Sequence, residues 1–523
     1  MSTHRKIARA YTILVAASIA GHALSMVKEI IAANAFGVSK AMDAFYAALT
    51  FPNLLNSIFL APFSIIFIPI LIRYKTKSLP EANRIISTVS NIIYLVLGAA
   101  AAVSFTFAGR IVNLASPGLD IPTGIAAENM LRILSAGIIF TGAVNILTGI
   151  LNAFEHFLWP AFSGMFVTLC TICLLLFFTD TLGVYALGWG LLAGTVLQFL
   201  FLAPIARRYG YSHSAALDLD HPAIRLALDS AFIFLIINVL SGFNTVINRY
   251  MASWLPAGSI AGLAYADKLV QVPLVIFSGA IASSIYPFLS AQAAENKLDE
   301  MRDTVSLSLR MSGFIFIPLA ITMMILAEPA IRLLFQRGAF DLAATRLTSQ
   351  IFVYSCLLLF SNYAVAILMR LMFAFQDFRN ILKVVGAGLV LNAGLNYVFI
   401  RVMDPPACGV ALSAAVGSFV MAVLFFLILK KRVSNLHGLA ILKALSRIAA
   451  FAAVSGFAVF FSYQYLSARL HTTLVNQAAA LAGAAAAGLL VFVLISAAFR
   501  LEEFLKVYQH AVSKLRRKRE RPA

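Results

Sequence analysis

Two pairs of charged residues interrupt long apolar stretches of this sequence, where they could bind a charged ligand. Lys28 and Glu29 interrupt the first apolar stretch, with His22 six residues before the lysine. Asp267 and Lys268 interrupt a later one. A charge near the centre of a membrane helix costs about 2.5–3.5 kcal/mol, so it usually faces a partner or a water-filled cavity. Two lysines facing one cavity would suit an anionic substrate, whereas the alternative is that both pairs are structural charges at helix ends.

A second, weaker candidate is a cation site. Asn392 and Asn396 are four residues apart and so share one face of a helix, and Asp229 lies just inside another apolar stretch. Carboxylate and amide oxygens could hold an ion such as Na⁺, although a carboxylate satisfied at a helix end is the simpler interpretation. No other metal site and no cofactor are expected. The sequence has no GxxxxGK[ST] loop for nucleotide phosphates, so ATP is not expected to be the direct energy source.

The composition shows which kind of element must position these residues. Of the 523 residues, 61% are hydrophobic and 12% are charged, whereas soluble proteins average about 45–50% and about 25%. The apolar residues form blocks of about 20, the length that crosses a hydrocarbon layer about 30 Å thick. We therefore expect an all-α polytopic membrane protein. The formal charge of +18 then indicates cytoplasmic loops and anionic lipid, and not a nucleic-acid partner.

Fourteen apolar segments are separated by charged or Pro/Gly-rich breaks. They lie near residues 10–35, 44–72, 86–108, 123–151, 160–179, 183–204, 224–247, 259–289, 308–328, 347–371, 382–400, 408–429, 446–467 and 476–498. If the N-terminus is cytoplasmic, most of the 40 Lys and Arg residues fall on the cytoplasmic side. Because these residues stay inside, the pattern predicts that both termini are cytoplasmic.

The chain also matches itself at an offset of 221 residues. The matched pairs include Lys28 with Arg249, Gly37 with Gly258, Pro52 with Pro273, and Asp120 with Asp341. Six crossings separate the two copies, so both should have the same orientation, as in transporters whose substrate site lies between repeats. We expect a six-helix lobe at 1–220, a second at 221–435, two further helices at 436–500 and a basic cytoplasmic tail at 501–523.

The matched prolines Pro52 and Pro273 are candidate hinges. A proline removes a backbone hydrogen bond and kinks a helix, so these positions could bend during transport. The alternative is that they are merely tolerated, as prolines in membrane helices commonly are.

Three stretches of sequence together resemble a known family. They are Gly37-x5-Asp43-Ala44-Phe45 followed by Pro52-Asn53-Leu54-Leu55, then Tyr265-Ala266-Asp267-Lys268-Leu269-x3-Pro273, then Leu334-Phe335-Gln336-Arg337-Gly338-Ala339-Phe340. The combination resembles the MurJ (MviN) lipid II flippases of the MOP exporter superfamily. The resemblance implies a MOP-like fold and movement of an undecaprenyl-diphosphate-linked peptidoglycan precursor to the periplasmic leaflet of a bacterial inner membrane. It further implies alternating access through a central cationic cavity.

The resemblance also implies roles for particular residues. Lys28 and Lys268 stand where the family places essential arginines of the cavity, and Asp43 stands where it places an essential aspartate. The family usually has arginine at the position of His22, and two arginines where this chain has Asn56 and Ser57. The candidate substrate-binding residues are His22, Lys28, Glu29, Asp43, Asn56, Ser57 and Lys268. Lysine keeps the charge of arginine but loses its bidentate geometry for phosphate.

These departures leave a second function open, which is a flippase for another polyprenyl-linked oligosaccharide such as an exopolysaccharide or O-antigen unit. A cation-coupled drug exporter is less favoured. A membrane-embedded glycan-processing enzyme is disfavoured because the sequence shows no convincing pair of external carboxylates. The expected partners are the glycolipid and membrane lipids, the protein is expected to be a monomer, and coupling to Na⁺ or another ion stays open.

Overall fold

The computed structural model describes residues 3–75, 78–295, 297–433, 436–470 and 473–509, with all side chains in these ranges except those at 3–16, 60–70, 226–233, 278–288, 290 and 293–294. Helices make up most of these ranges, which contain no strand. The first eight helices are α1 (Thr3–Phe36), α2 (Lys40–Lys75), α3 (Leu79–Thr106), α4 (Ala108–Ala115), α5 (Ile121–Ala153), α6 (Leu158–Leu182), α7 (Tyr185–Arg208) and α8 (Pro222–Ser253).

The later helices follow in the same manner. They are α9 (Ser259–Ala294), α10 (Leu298–Ile325), α11 (Ala327–Phe335), α12 (Leu342–Cys356), α13 (Leu358–Ala374), α14 (Phe378–Val402), α15 (Ala407–Val433), α16 (Gly438–Arg469) and α17 (Leu474–Ala498). Each of the fourteen segments read from the sequence coincides with a helix, except that the tenth is divided into α12 and α13. The short helices α4 and α11 were not predicted from the sequence.

Among the described residues, eleven helical stretches are long and apolar enough to cross a membrane. They are α3, α5, α6, α7, the Ser259–Phe277 part of α9, α10, α12 with α13, α14, α15, α16 and α17. The prediction of an all-α, multi-pass membrane protein is therefore confirmed. The count of fourteen crossings stays a prediction.

The internal repeat is visible in the backbone. Helix α5 begins at Ile121 and α12 begins at Leu342, which is the offset of 221 residues read from the sequence. Two matched residues, Glu155 with φ 65° after α5 and Gln376 with φ 54° after α13, both adopt the left-handed conformation that non-glycine residues rarely adopt. The two copies therefore share helix starts and turn geometry.

The chain forms two compact units. The first unit contains Met1–Tyr265 and Arg337–Ala344, and the second contains Ala266–Gln336 and Thr345–Ala523. In the first unit, α2 packs against α3, α5 and α8. In the second unit, α10 packs against α13 and α16, and α16 packs against α17. The division into lobes at 1–220 and 221–435, with helices at 436–500 and a tail at 501–523, stays a prediction, and residues 510–523 of that tail lie outside the described residues.

An extended segment in the first unit, residues 210–218, runs along α3 after α7 ends, and we call it the strap. Polar side chains of α3 bind the backbone of the strap. The Asn83 side-chain amide donates to the carbonyl of Gly210 at 2.9 Å, and the Asn91 amide donates to the carbonyls of Ser214 at 3.0 Å and Ala216 at 2.9 Å. These bonds satisfy carbonyl groups that a segment without helix or strand would otherwise leave unpaired.

Further polar contacts hold the same segment from the side of α3. The Ser87 hydroxyl accepts from the backbone N–H of Ser214 at 3.1 Å, and the Thr88 hydroxyl accepts from the N–H of Asp218 at 3.2 Å. The guanidinium of Arg84 lies 3.2 Å from the Asp218 carboxylate. The connection between the two copies of the repeat is therefore held in one defined path.

Replacement of Asn91 by leucine should release the strap. The variant loses two hydrogen bonds and leaves two carbonyls without their donor, so we expect local stability to fall by about 1–3 kcal/mol. Limited proteolysis with chymotrypsin, which can cleave after Tyr211 and Leu217, measures this as faster cleavage within the strap. The matched control is Asn129→Leu on α5, where the side chain is exposed. Equal cleavage rates in both variants and the wild type would show that Asn91 does not hold the strap.

Candidate functional site

Glu29 is the buried member of the first charged pair. Its side chain is 4% exposed, and its Oε1 lies 2.8 Å from the ammonium nitrogen of Lys28. The hydroxyl of Tyr46 donates to Glu29 Oε2 at 3.1 Å. A carboxylate buried in membrane helices is costly unless it is paired and hydrogen-bonded, and here it is both. The ammonium of Lys28 therefore has an anionic neighbour in this structure.

Aromatic rings extend from Tyr46 to two of the stretches that carry the family resemblance. The ring of Tyr46 meets that of Tyr265 edge-on, with centroids 6.1 Å apart, and Tyr265 meets Phe340 in the same way at 5.6 Å. The guanidinium of Arg249 lies 5.7 Å from the Tyr46 ring centroid and donates to the Ile260 carbonyl at 2.9 Å. Tyr46 therefore contacts Glu29 through its hydroxyl and Tyr265 and Arg249 through its ring.

Asp43 binds the first turn of α9. Its Oδ2 accepts from the backbone N–H of Gly258 at 2.5 Å, and its Oδ1 accepts from the N–H of Ala261 at 2.8 Å. The first turn of a helix has N–H groups without partners in the helix and carries a partial positive charge. The Asp43 carboxylate, 4% exposed, satisfies two of these groups and thus acts as a cap supplied from another helix.

Three turns meet beside Asp43, and we call them the three-turn junction: residues 34–43, 254–261 and 337–340. The backbone N–H of Ala339 donates to the Asn34 carbonyl at 2.9 Å. Gly37 and Gly338 both have positive φ, at 58° and 53°. A Cβ on Gly37 would lie 2.1 Å from the Ala339 carbonyl oxygen, and one on Gly338 would lie 2.4 Å from the Asn34 carbonyl oxygen. Only glycine allows these turns to approach so closely.

The other predicted cavity residues occupy different surroundings. His22 is exposed, and its Nδ1 lies 2.7 Å from the Ser18 carbonyl oxygen of its own helix. Asp267 and Lys268 are partly buried on α9, in the second unit, and both have interaction partners. The prediction that Lys28 and Lys268 line one cavity stays a prediction.

The remaining predicted residues on α2 point to two different neighbours. Ser57 packs on α8, where a Cβ on Gly242 would lie 2.9 Å from its Oγ, and this hydroxyl donates to the Leu54 carbonyl at 2.8 Å. Asn56 and Pro52 line a partly open cavity of about 140 Å³ between α2, α5 and α7. Asn56 and Ser57 therefore lie on different surfaces of α2.

The candidate hinge residues and most of the candidate cation ligands lie within described helices. Pro52 and Pro273 are both buried inside helices, α2 and α9, and their role as hinges stays a prediction. Asn392 and Asn396 are buried on α14, where the Asn396 amide donates to the Asn392 carbonyl at 3.0 Å. The side chain of Asp229 lies outside the described residues. No group of three His, Cys, Asp or Glu side chains suited to a metal occurs in the described part of the chain.

Several members of this site were not predicted from the sequence. Tyr46, Tyr265 and Phe340 were not singled out as single residues, although Tyr265 and Phe340 belong to stretches that carry the resemblance. Arg249 was noted only as the repeat counterpart of Lys28. The sequence did contain a signal for them, because Tyr46, Tyr265 and Arg249 are polar residues within otherwise apolar stretches.

Comparison with known proteins then decides the family. The family model for the lipid II flippase MurJ matches residues 32–478 of this chain. The chain belongs to the lipid II flippase MurJ family. This family consists of transporters and not of enzymes, so both the family resemblance and the transporter class are confirmed.

Individual relatives carry the name of the same family. The lipid II flippase MurJ of Burkholderia cenocepacia is 27% identical over 417 residues, which cover 78% of this chain and 80% of the relative. A probable lipid II flippase MurJ of Rhizobium tropici is 25% identical over 525 residues, which cover 97% of this chain and 96% of the relative.

Solved structures confirm the MOP-like fold. A lipid II flippase MurJ in an inward closed conformation matches 93% of this chain and 98% of its own, with a TM-score of 0.77 at 22% identity. An inward-facing multidrug resistance transporter of the MATE family, also of the MOP superfamily, covers 79% of this chain and 99% of its own, with a TM-score of 0.62 at 15% identity.

Replacement of Asp43 by alanine should destabilise the three-turn junction. The change removes two charge-assisted hydrogen bonds at the start of α9, for which we expect a loss of about 1–3 kcal/mol. Asp43→Asn retains one acceptor oxygen and should lose less. Thermal unfolding of the purified protein measures the order wild type, Asn, Ala, with Asp180→Ala on the exposed end of α6 as control. A melting temperature unchanged by Asp43→Ala would contradict the capping role.

Proposed function

We propose that this chain moves lipid II from the cytoplasmic to the periplasmic leaflet of a bacterial inner membrane. Its relatives carry the name lipid II flippase MurJ, and this chain spans most of their length. The observation that carries the proposal is the buried pair of Lys28 and Glu29 with Tyr46, inside helices of a family of lipid transporters. An ammonium maintained in such a position is suited to an anionic group such as the diphosphate of the lipid.

The arrangement around Lys28 suggests how the diphosphate is accepted. In the absence of substrate, Glu29 neutralises the lysine, so the empty carrier avoids an isolated charge in a low-dielectric region. An arriving diphosphate presents several anionic oxygens and competes with Glu29 for the ammonium. Tyr46 continues to donate to Glu29 and so reduces the cost of separating the pair.

The three-turn junction supplies the second part of the mechanism. With the N-terminus in the cytoplasm, as the distribution of Lys and Arg predicts, all three turns lie at the periplasmic end. The junction then closes the periplasmic side, and release of lipid II requires the Asp43 bonds to the first turn of α9 to break. Alternating access would thus exchange this cap for an open periplasmic side, with Pro52 and Pro273 as the candidate bending points.

A flippase for another polyprenyl-linked oligosaccharide is the second candidate. One observation favours it: Asn56, which stands where the resemblance leads us to expect arginine, lines a cavity without any charged residue. A change from a charged to an uncharged lining alters which headgroup is preferred, while the lipid diphosphate stays the same. Monomeric state, cytoplasmic termini and ion coupling remain part of the proposal.

A series at Lys28 tests the function. In a conditional bacterial strain deprived of its own lipid II flippase, the wild-type chain should restore growth. Lys28→Arg should also restore growth because charge is kept and a second donor is added, whereas Lys28→Gln and Lys28→Glu should fail while protein levels stay normal. The control is Lys431→Gln, which removes an exposed lysine at the end of α15, outside the three-turn junction.

The outcomes separate the alternatives. Failure of the wild type to support growth, together with export of a different polyprenyl-linked saccharide in reconstituted vesicles, would favour the second candidate. Growth of the Lys28→Glu strain equal to that of the wild type would exclude a role for charge at this position.

A cysteine at Ala47 should report the opening of the periplasmic side. Ala47 is 3% exposed on α2, one turn after Asp43, so a cysteine there should react slowly with a membrane-impermeant maleimide. The background must lack Cys170, Cys173, Cys356 and Cys408. Asp43→Ala should increase labelling severalfold, because the cap no longer favours closure.

The same cysteine tests whether the membrane potential contributes energy. Moving one charge through the membrane field is worth about 2.3 kcal/mol per 100 mV. If the potential resets the empty carrier, collapse of the potential should change the labelling rate in a variant that still transports. An unchanged rate would indicate downhill movement driven by consumption of the product outside.

A further inference from the structure

The cavity beside Pro52 is lined by residues other than the charged pair Lys28 and Glu29. It lies within the first unit between α2, α5 and α7 and has a volume of about 140 Å³. Its polar side chains are Asn53, Asn56, Thr141 and Thr195, and its other lining residues are Leu49, Pro52, Leu134, Gly137, Ile138, Leu191 and Leu192. None of these lining residues carries a charge, so the cavity is unsuited to an isolated ion.

The hydrogen-bonding capacity of the lining can be assigned group by group. The hydroxyl of Thr141 donates to the Gly137 carbonyl at 2.9 Å, and that of Thr195 donates to the Leu191 carbonyl at 2.7 Å. Both hydroxyls can therefore still accept a hydrogen bond, but each already donates its own proton to a backbone carbonyl. The side-chain amides of Asn53 and Asn56 supply both donors and acceptors. Such a lining suits an uncharged ligand that both donates and accepts.

One feature of α5 helps to keep this space open. Gly137 has no side chain, and a Cβ placed there would lie 3.7 Å from Leu192 Cδ1, another residue of the lining. A larger residue at 137 would therefore extend into the cavity.

The volume limits what can enter. Pockets that enclose whole small-molecule ligands measure about 300–1,000 Å³. The cavity therefore fits one part of a ligand, such as a sugar ring edge with an amide substituent, and not a complete headgroup.

We propose that this cavity is a subsite for an uncharged, N-acylated sugar of the transported glycolipid, bound by Asn53 and Asn56. The inference rests on the proposed function, since the glycolipid brings the sugar to the protein. An N-acyl group offers one N–H donor and one carbonyl acceptor, which match the two capacities of a side-chain amide. The methyl end of the acyl group would contact the leucine and isoleucine walls.

The test compares two lipids that differ only in the sugar. Full-length protein in lipid nanodiscs is titrated with undecaprenyl diphosphate and with undecaprenyl-diphosphate N-acetylglucosamine. The wild type should bind the glycosylated lipid more tightly. Asn53→Leu and Asn56→Leu should each weaken binding of the glycosylated lipid about three- to tenfold, the range for one uncharged hydrogen bond, and leave undecaprenyl diphosphate unaffected.

Further variants keep the result interpretable. Gly137→Val reduces the cavity from the side of α5 and should cause the same selective loss with both asparagines intact. Asn129→Leu, outside the cavity on the same helix, should leave both affinities unchanged. Equal wild-type affinities for the two lipids, or equal losses of both in the asparagine variants, would overturn the subsite and leave the proposed function standing. A wild type that binds neither lipid would overturn both.

Discussion

The contact between the Asp43 carboxylate and the first turn of α9 is the constraint on which the organisation of the first unit depends. It joins helix α2 of the first copy of the repeat to helix α9 of the second through two backbone N–H groups. Because those N–H groups have no partner inside α9, the acceptor must come from elsewhere in the chain. The glycine turns at 37 and 338 exist in the form seen because the backbones must approach closely around this contact. A single carboxylate thus links the capping of α9 with the geometry of the neighbouring turns.

The second constraint is electrostatic and concerns the ion pair of Lys28 and Glu29. Glu29 shares a buried site with Lys28, and the hydroxyl of Tyr46 occupies the other carboxylate oxygen. The expected anion-binding lysine is therefore already paired. An apolar environment strengthens this pairing but also raises the free-energy cost of leaving either charge without its partner. Any anion that binds Lys28 must therefore compete with Glu29 for the ammonium.

Much of the architecture could be predicted from the sequence for direct physical reasons. Apolar blocks of membrane length predict helices, because the bilayer core leaves backbone groups no other partner, and every predicted segment is helical. The offset of 221 residues predicted an internal repeat, and the starts of α5 and α12 differ by the same number, since similar local sequence forms similar helix ends. The short helices α4 and α11 were missed, because eight or nine residues give too weak a periodic signal.

The sequence by itself determined the kind of element, the repeat and the presence of unusual charges, because these follow from composition and local spacing. Only the tertiary structure decided which atoms those charges meet. Asp43 and Gly258 are more than two hundred residues apart, and nothing local indicates that the carboxylate of one would bind the N–H of the other. The same holds for Asn56 and Ser57, adjacent in sequence yet directed to a cavity and to α8. Local rules fix helices, whereas partners across helices depend on how the complete chain packs.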